Sequence, residues 1–393
     1  MKLKILTLTI LVSVLFCNIF AFGLCPWDTT FTLHCQGKSA TYSLSKEAQN
    51  LSNEEKEMRK IYHADKWQVA QEFLQIGLPP RAVLNYIFYG ISPILDDFEQ
   101  KITKNKVDAT FKFCPDEKEK FLYFNGVDGV EIDWYALLKQ VCQKNKKIQI
   151  PLKIDRAKSI KQLKDQTALK GQFTTYFNQE KVSRSHNVAL ALQYINGTIL
   201  HQGETFSFNQ KVGQRTQERG FKSAKIIVGG RYVDGLGGGV CQASTTLYNA
   251  VLLANLKVEE VHAHTLVPSY VLAGRDAMVS FGAFDLKFVN DTNGDLYFVA
   301  FGQNGKATVQ IYGIKNDFEV EIQTEQERTP FEKKYALWTK DKKFSDLYVA
   351  GSDGVKSKTF LVVKRGQNEE KRQIRADTYQ KVDCIYPIDV VLP

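Results

Sequence analysis

One cysteine, Cys241, occupies a sequence setting that can make it a nucleophile. It follows the glycine-rich run 235–239 and opens an apolar-periodic segment that predicts a helix. Glycines permit positive φ and close backbone approach, while a helix N-terminus carries free N–H groups and partial positive charge that favour a thiolate. The pattern predicts an activated cysteine, and it is equally compatible with a small residue buried at a tight turn.

A nucleophilic cysteine needs a base and a group that orients the base. His264 follows Cys241 in the chain, and Asp276 and Asp285 follow His264. Cysteine at a helix start, histidine on a following strand and a carboxylate further on is similar to the arrangement in transglutaminase-like and NlpC-type cysteine enzymes. We predict Cys241 as nucleophile, His264 as base and acid, and Asp276 as the residue that orients it.

A substrate carbonyl attacked by Cys241 needs hydrogen-bond donors for its developing negative charge. The Cys241 backbone N–H and the Gln242 side chain are candidates for that role. A guanidinium group at Arg215 or Arg275 can bind a carboxylate such as a peptide-stem terminus, or form a structural ion pair. The residues predicted to bind substrate are Gly238, Gly239, Gln242, Ser244 and Arg215.

A zinc site is the alternative interpretation of the same region. His262 and His264 alternate, so on a strand both side chains would face one way. With Cys241 or Asp276 they could ligate zinc, although a polar residue at a sheet edge accounts for His262 more simply. We predict no metal and no cofactor.

Residues 1–23 predict an export signal. Lys2 and Lys4 precede an apolar run, and small residues stand at positions 21 and 23, before the expected cleavage site after Gly23. An uncleaved N-terminal anchor is the alternative, and no later apolar run is long enough to cross a bilayer. We expect a secreted or cell-envelope protein outside the cytoplasm.

Six cysteines follow this segment, and an oxidising compartment permits disulfides. The pairs that we consider are Cys25–Cys35, Cys114–Cys142 and Cys241–Cys384. The third pair competes with catalysis because it would consume the nucleophile.

The formal net charge is +9, and the positively charged residues are scattered along the chain. It indicates a solvated surface, with attraction to an anionic cell wall as the functional alternative. We expect no nucleic-acid partner, because the chain is predicted to be exported and lacks a DNA- or RNA-binding motif. The predicted partner is peptidoglycan or another anionic cell-wall polymer.

The order of elements predicts a multidomain α+β protein. Residues 24–155 contain a helical run at 44–104 and then a small α+β module, 156–168 form a linker, 169–312 form a mixed α+β core, and 313–393 form a small β-rich tail. Within the core we predict helices at 187–195 and from Cys241, and a hairpin that turns at Gly229-Gly230. Further strands are predicted at 258–262, 277–281, 285–289 and 296–301.

Residues 169–312 resemble the VanW domain, which is named after an accessory gene of vancomycin-resistance clusters. The blocks that carry the resemblance are Gly171-x-Phe173-Thr174-Thr175, Asn187, Ile195-Asn196-Gly197-Thr198, Gly203-Glu204-x-Phe206-Ser207-Phe208-Asn209, Val212-Gly213-x-Arg215-Thr216, Gly220-Phe221-x-x-Ala224, Gly237-Gly238-Gly239-x-Cys241-Gln242-x-Ser244-Thr245-Thr246-Leu247-Tyr248-Asn249, His264, Tyr270, Gly274-x-Asp276-Ala277 and Asp285-Leu286-x-Phe288-x-Asn290. The resemblance implies an exported envelope protein of a Gram-positive-type bacterium.

Two flanking regions resemble modules that accompany this domain. Residues 68–155 resemble a peptidoglycan-binding-like module through Asp108-Ala109-x-Phe111-x-Phe113 and Gly126-x-x-Gly129. The β-rich tail is similar to a degenerate small β domain. Together these features predict a VanW-family protein that acts on or binds peptidoglycan, by cysteine-dependent acyl transfer or hydrolysis on peptide stems. The alternative is a non-catalytic cell-wall-binding or scaffold protein whose glycine loop only shapes a cleft.

Overall fold

The computed structural model describes residues 29–43, 46, 66–88, 90–143, 146–228, 231–337 and 348–388. The chain forms two compact units, one of Met1–Ala109 with Asn125–Ser159 and one of Thr110–Phe124 with Ile160–Pro393. Helices and several small sheets confirm the predicted α+β multidomain class. The predicted export signal, Cys25 and most of the predicted helical run before residue 66 lie outside the described residues.

Over its described residues, the first unit contains four helices and five strands. These elements are β1 (Thr30–Cys35), β2 (Lys38–Ser43), α1 (Lys66–Gln75), α2 (Pro80–Ile87), α3 (Ser92–Ile102), β5 (Gly129–Ile132), α4 (Trp134–Cys142), β6 (Lys147–Gln149) and β7 (Leu152–Asp155). In a three-stranded sheet, β1 pairs antiparallel with β2 and parallel with β6. A two-stranded sheet pairs β5 with β7.

Helical spacing of apolar residues explains the core of this unit. In α1, Ala70 and Phe73 are buried as their spacing predicts. Helix α2 begins at Pro80, whose fixed φ suits a first helical turn. Leu84 of α2 and Leu138 of α4 are fully buried in one hydrophobic cluster with β1.

The elements of the second unit up to residue 313 are β3 (Thr110–Phe113), β4 (Phe121–Phe124), α5 (Ile160–Gln166), β8 (Ala168–Tyr176), α6 (Val182–Ile195), β9 (Ile199–Leu200), β10 (Thr205–Ser207), α7 (Phe208–Val212), β11 (Ser223–Val228), β12 (Arg231–Leu236), α8 (Val240–Leu253), β13 (Lys257–Glu260), β14 (Lys287–Val289), β15 (Leu296–Gln303) and β16 (Lys306–Gly313). The unit is built on a four-stranded antiparallel sheet in the order β8–β16–β15–β9, and helices α6 and α8 pack against this sheet. Helix α8 is the one that Cys241 was predicted to open.

A C-terminal set of strands continues the same unit. These strands are β17 (Glu319–Thr329), β18 (Lys333–Leu337), β19 (Gly354–Arg365), β20 (Asn368–Tyr379) and β21 (Cys384–Ile388). Strands β17, β19 and β20 form a three-stranded antiparallel sheet in that order, and β18 pairs parallel with β21. Leu361 and Val363 of β19 join the hydrophobic core that contains Leu247 of α8. The compact unit therefore does not end at residue 313.

Several local predictions are confirmed, and two are wrong. The hairpin β11–β12 and the strand β15 form where they were expected. The segment 277–281 forms no strand, because the Ala277 N–H donates to the Thr245 side chain and the Met278 N–H to the His262 carbonyl. Strand β13 ends at Glu260, so His262 and His264 do not share a strand face. The predicted linker contains the short helix α5.

Candidate active site

The glycine loop before Cys241 needs glycine at two positions for steric reasons. Gly237 and Gly239 have φ of +82° and +109°, a region that L side chains rarely adopt. A Cβ on Gly239 would lie 3.0 Å from Cγ of Arg184, and a Cβ on Gly237 would lie 2.8 Å from Cγ of Arg215. The loop therefore packs against the stems of two arginines immediately before the helix that carries Cys241.

Cys241 is the exception in a buried helix. The other residues of α8 from Val240 to Leu252 are buried, whereas Cys241 is half-buried and lines a cleft of about 1250 Å³. In its neutral form the thiol donates to the Val279 carbonyl at 3.4 Å. The nucleophile candidate therefore faces solvent-accessible space from the first turn of a core helix.

His264 and Asp276 meet beside this thiol. Nδ1 of His264 lies 2.6 Å from Oδ2 of Asp276, and the same oxygen accepts the His264 backbone N–H at 2.7 Å. Asp276 is fully buried and His264 is 7% exposed. The imidazole lines the same cleft as Cys241 and is near enough to lower the pKa of its thiol. The structure therefore brings the three predicted catalytic residues together, with His264 between the thiol and the Asp276 carboxylate.

The electrostatics of Cys241, His264 and Asp276 favour a thiolate–imidazolium pair. Burial opposes the charge on Cys241, but the hydrogen bond and the positive charge of His264 outweigh it and lower the thiol pKa. Burial also opposes the charge on His264, but its bonds to Asp276 and Cys241 raise the imidazole pKa to about 10. Burial likewise opposes charge on Asp276, whose pKa is nevertheless lowered by His264. A thiolate is the reactive form of cysteine.

A backbone donor is available for a developing oxyanion. The N–H groups of Val240 and Gln242 donate to the Gly237 and Gly239 carbonyls. The Cys241 N–H has no acceptor within the described parts of the chain, as expected for the first turn of a helix. It can therefore donate to an oxygen on a carbon attacked by the thiolate.

Comparison with known proteins places this site in a recognised domain. Residues 183–312 match the family model described as VanW like protein. The chain carries a VanW-like domain. It is similar to the uncharacterized protein YoaR of Bacillus subtilis, with 45% identity over 142 residues, which are 36% of this chain and 47% of YoaR. It is also similar to the vancomycin B-type resistance protein VanW of Enterococcus faecalis, with 31% identity over 126 residues, which are 31% of this chain and 45% of that protein.

The alignments span about half the length of these two relatives. All three predicted catalytic residues lie inside the matched VanW-like domain. The resemblance of residues 68–155 to a peptidoglycan-binding-like module stays a prediction.

The structure adds residues from beyond the matched segment. Tyr379 of β20 donates to Oδ1 of Asp276 at 2.5 Å and accepts the Gly274 N–H at 2.7 Å. Arg375 of β20 donates to the Asp276 backbone oxygen at 2.7 Å, while a two-pronged ion pair with Asp377 holds its guanidinium. The C-terminal sheet therefore fixes the carboxylate that orients His264.

The predicted substrate-binding residues divide into two groups. Gly238, Gly239, Gln242 and Arg215 line the cleft with Cys241. Ser244 does not, and its predicted role is wrong. It is fully buried, and its hydroxyl donates to the Ala277 carbonyl at 2.6 Å.

The oxyanion role predicted for the Gln242 side chain is also wrong. Its Nε2 donates to the Thr175 hydroxyl and to the Tyr176 carbonyl, each at 2.9 Å. Both amide hydrogens are thus used, and the atom left without a partner is Oε1, which is an acceptor. An acceptor cannot stabilise an oxyanion.

The other aspartate and arginine candidates are structural. Asp285 accepts the Ser207 hydroxyl and the Asn209 N–H, so it does not orient His264. Nε of Arg275 donates to Asn249, and its guanidinium lies 4.9 Å from the Phe173 ring centroid.

Two cleft residues carried too little local signal to be recognised from sequence. Tyr270 is half-buried in the cleft wall. The guanidinium of Arg184 lies 5.8 Å from the Tyr270 ring centroid. The Tyr270 block in the family resemblance was the available clue, whereas Arg184 had none.

The zinc alternative fails on geometry. His262 bonds Glu260 at 3.0 Å, while His264 is held by Asp276. Over the residues that the structure describes, no three side chains of His, Cys, Asp or Glu form a group that could hold a metal ion.

The predicted disulfides that can be examined are absent. Cys241 and Cys384 are both free thiols, so the competitor to catalysis is not formed. Cys114 is also a free thiol, which excludes the Cys114–Cys142 bridge, and Cys35 is a buried free thiol. Spacing along the chain suggested these pairs, but disulfides require Cβ atoms about 4 Å apart with suitable direction, which spacing does not determine.

Proposed function

We propose that the VanW-like domain catalyses cysteine-dependent acyl transfer or hydrolysis on peptides of the cell wall, and that the protein works outside the cytoplasm. The observation that carries the proposal is the grouping of Cys241 with the hydrogen-bonded pair His264–Asp276 at the wall of an open cleft. The name of one relative, a vancomycin B-type resistance protein, supports a role at the cell wall. The apolar segment after Lys2 and Lys4 supports export.

The geometry supplies each step of such a reaction. The Cys241 thiolate attacks the carbonyl carbon, forming an S–C bond, while the Cys241 N–H binds the oxyanion. The His264 imidazolium then gives its Nε2 proton to the leaving amine as the C–N bond breaks. Water or an acceptor amine attacks the thioester, His264 takes its proton, and the thiolate is released.

Asp276 serves this cycle without changing its own protonation. Its Oδ2 accepts both the backbone N–H and Nδ1–H of His264, which leaves Nε2 as the ring nitrogen available for proton transfer. A buried carboxylate in this position stabilises the imidazolium of the resting ion pair until its proton passes to the leaving amine.

Purified protein incubated with peptidoglycan fragments, followed by mass spectrometry, tests the proposal. The wild type should alter the peptide portion of the fragments and form a covalent adduct on Cys241, and Cys241→Ala should do neither. Unchanged fragments, together with equal co-sedimentation of both proteins with peptidoglycan, would contradict catalysis and support the wall-binding alternative.

A further inference from the structure

The cleft beside Cys241 has an excess of positive charge. Its described lining includes four basic side chains, Lys181, Arg184, Arg215 and Lys225, and one carboxylate, Asp234. Lys225 and Asp234 pair with each other at 3.0 Å across the β11–β12 hairpin. The excess charge therefore comes from Lys181 at the start of α6 and from the two arginines.

Arg215 lacks a carboxylate partner among the described residues. Nη1 donates to the Gly213 carbonyl at 3.0 Å, and the guanidinium lies 5.7 Å from the Phe208 ring centroid. Nη2 is shielded from water and has no hydrogen-bond partner in the described structure. The nearby Asp285 carboxylate is occupied by the N–H and O–H groups of Asn209 and Ser207. A guanidinium with unused donors is costly when buried, and a carboxylate is its best-fitting acceptor.

The two arginines border the same loop. The stem of Arg215 packs on Gly237 and that of Arg184 packs on Gly239, four and two residues before Cys241. Both charges lie near the reacting region. The Arg215 guanidinium helps to lower the pKa of Cys241, and the Arg184 guanidinium beside Tyr270 partly offsets the rise that burial causes in the Tyr270 pKa. An anion in this part of the cleft would lie next to a carbonyl under attack.

We infer that the cleft selects acyl donors with a carboxylate close to the reacting carbonyl, and that Arg215 and Arg184 bind this carboxylate. The inference rests on the proposed function, because it assigns a substrate class to the same site. It describes an acidic peptide, whose carboxylate gives Arg215 the acceptor that its Nη2 lacks among the described residues.

Two alkylating reagents of the same size test this inference. Iodoacetate and iodoacetamide both form an S–C bond to Cys241 with loss of iodide, and only iodoacetate carries a carboxylate. The ratio of their alkylation rates at pH 7 should be higher for the folded protein than for the same thiol in urea. The difference between the ratios of the folded and the unfolded protein should become smaller at high salt. Arg215→Gln should lower the ratio about tenfold, as the loss of one charge-assisted hydrogen bond implies.

Lys257→Gln is the matched control, because it removes one exposed positive charge outside the cleft lining. It should leave the ratio unchanged. Rapid reaction with iodoacetamide but no preference for iodoacetate would overturn the inference alone, as would an equal drop in the Lys257 variant. Slow reaction with both reagents would overturn the proposed function and the inference with it. Protection of Cys241 by inorganic phosphate but not by N-acetylglycine would overturn the peptide carboxylate in favour of a phosphate polymer.

Discussion

At the scale of single residues, the reactivity of Cys241 depends on His264 more than on its position at a helix start. Burial alone would raise the thiol pKa, and the imidazolium reverses that effect. The imidazolium is in turn stabilised by Asp276, which raises the His264 pKa to about 10. The thiolate should therefore form at a lower pH than in an ordinary cysteine, and it is lost as pH falls through the lowered pKa of Cys241.

This gives the first prediction. Alkylation of Cys241 by iodoacetamide should increase less between pH 7 and pH 9 in the wild type than in the variant His264→Asn, because the lowered thiol pKa gives the wild type more thiolate at the lower pH. His264→Asn keeps a donor for Asp276 but removes the charge, so the rate at pH 7 should fall at least about tenfold and increase with pH. Mass spectrometry of each cysteine provides the measurement, with the 2% exposed Cys384 as an internal slow-reacting control. Matching pH profiles in the two proteins would refute the ion pair.

At the scale of elements, the glycine loop 235–239 and helix α8 together position Cys241. The loop requires positive φ at Gly237 and Gly239, and it has no room for side chains where the arginine stems pack. The helix is buried on almost every side, which makes its N-terminal position rigid and leaves Cys241 at the cleft. Positioning of the nucleophile therefore depends on small residues that make no chemical contribution.

Gly239→Ala should destabilise the protein by about 2–5 kcal/mol, the sum of a left-handed backbone cost and overpacking against Arg184. Gly203→Ala is the matched comparison, since Gly203 has φ of +79° and nothing within 4 Å of an added Cβ. It should cost only about 1–2 kcal/mol. Urea unfolding of the two variants measures the difference, and equal losses would show that the packing against Arg184 is unimportant.

At the scale of the whole molecule, the site is completed by strands that lie beyond the matched VanW-like segment. Tyr379 and Arg375 reach Asp276 from β20, and Leu361 and Val363 of β19 join the core beneath α8. The C-terminal sheet is therefore part of the candidate active site and not merely an appended module.

None of the helices in the described ranges is long and apolar enough to span a bilayer.

The third prediction concerns Tyr379 as a positioning residue. Tyr379→Phe leaves Oδ1 of Asp276 and the Gly274 N–H without their buried partner, which should cost about 1–3 kcal/mol of unfolding free energy. It should also raise the pH at which Cys241 becomes reactive, because the carboxylate is no longer held against His264. Tyr335→Phe, at a tyrosine that is 67% exposed, should change neither quantity. Loss of stability with an unchanged pH profile would reduce Tyr379 to a structural role.

Local features were predictable from the sequence because their physical causes are local. A glycine run that demands positive φ, an apolar period that forms a helix, and a Gly-Gly dipeptide between alternating segments each act over fewer than about fifteen residues. They determined the β11–β12 hairpin, helix α8 and the position of Cys241 at its start. The order of His264 and the aspartates limited the candidates for base and orienting group but left two aspartates open.

Only the tertiary structure decided which of those residues meet. Asp276 and not Asp285 faces His264, Ser244 of α8 is buried against the Ala277 carbonyl, and Cys384 does not pair with Cys241. Tyr379 lies 103 residues from Asp276 in the chain, and no local pattern marks it. These contacts depend on how distant strands pack around one core, and their energies appear only when that packing excludes water from the groups concerned.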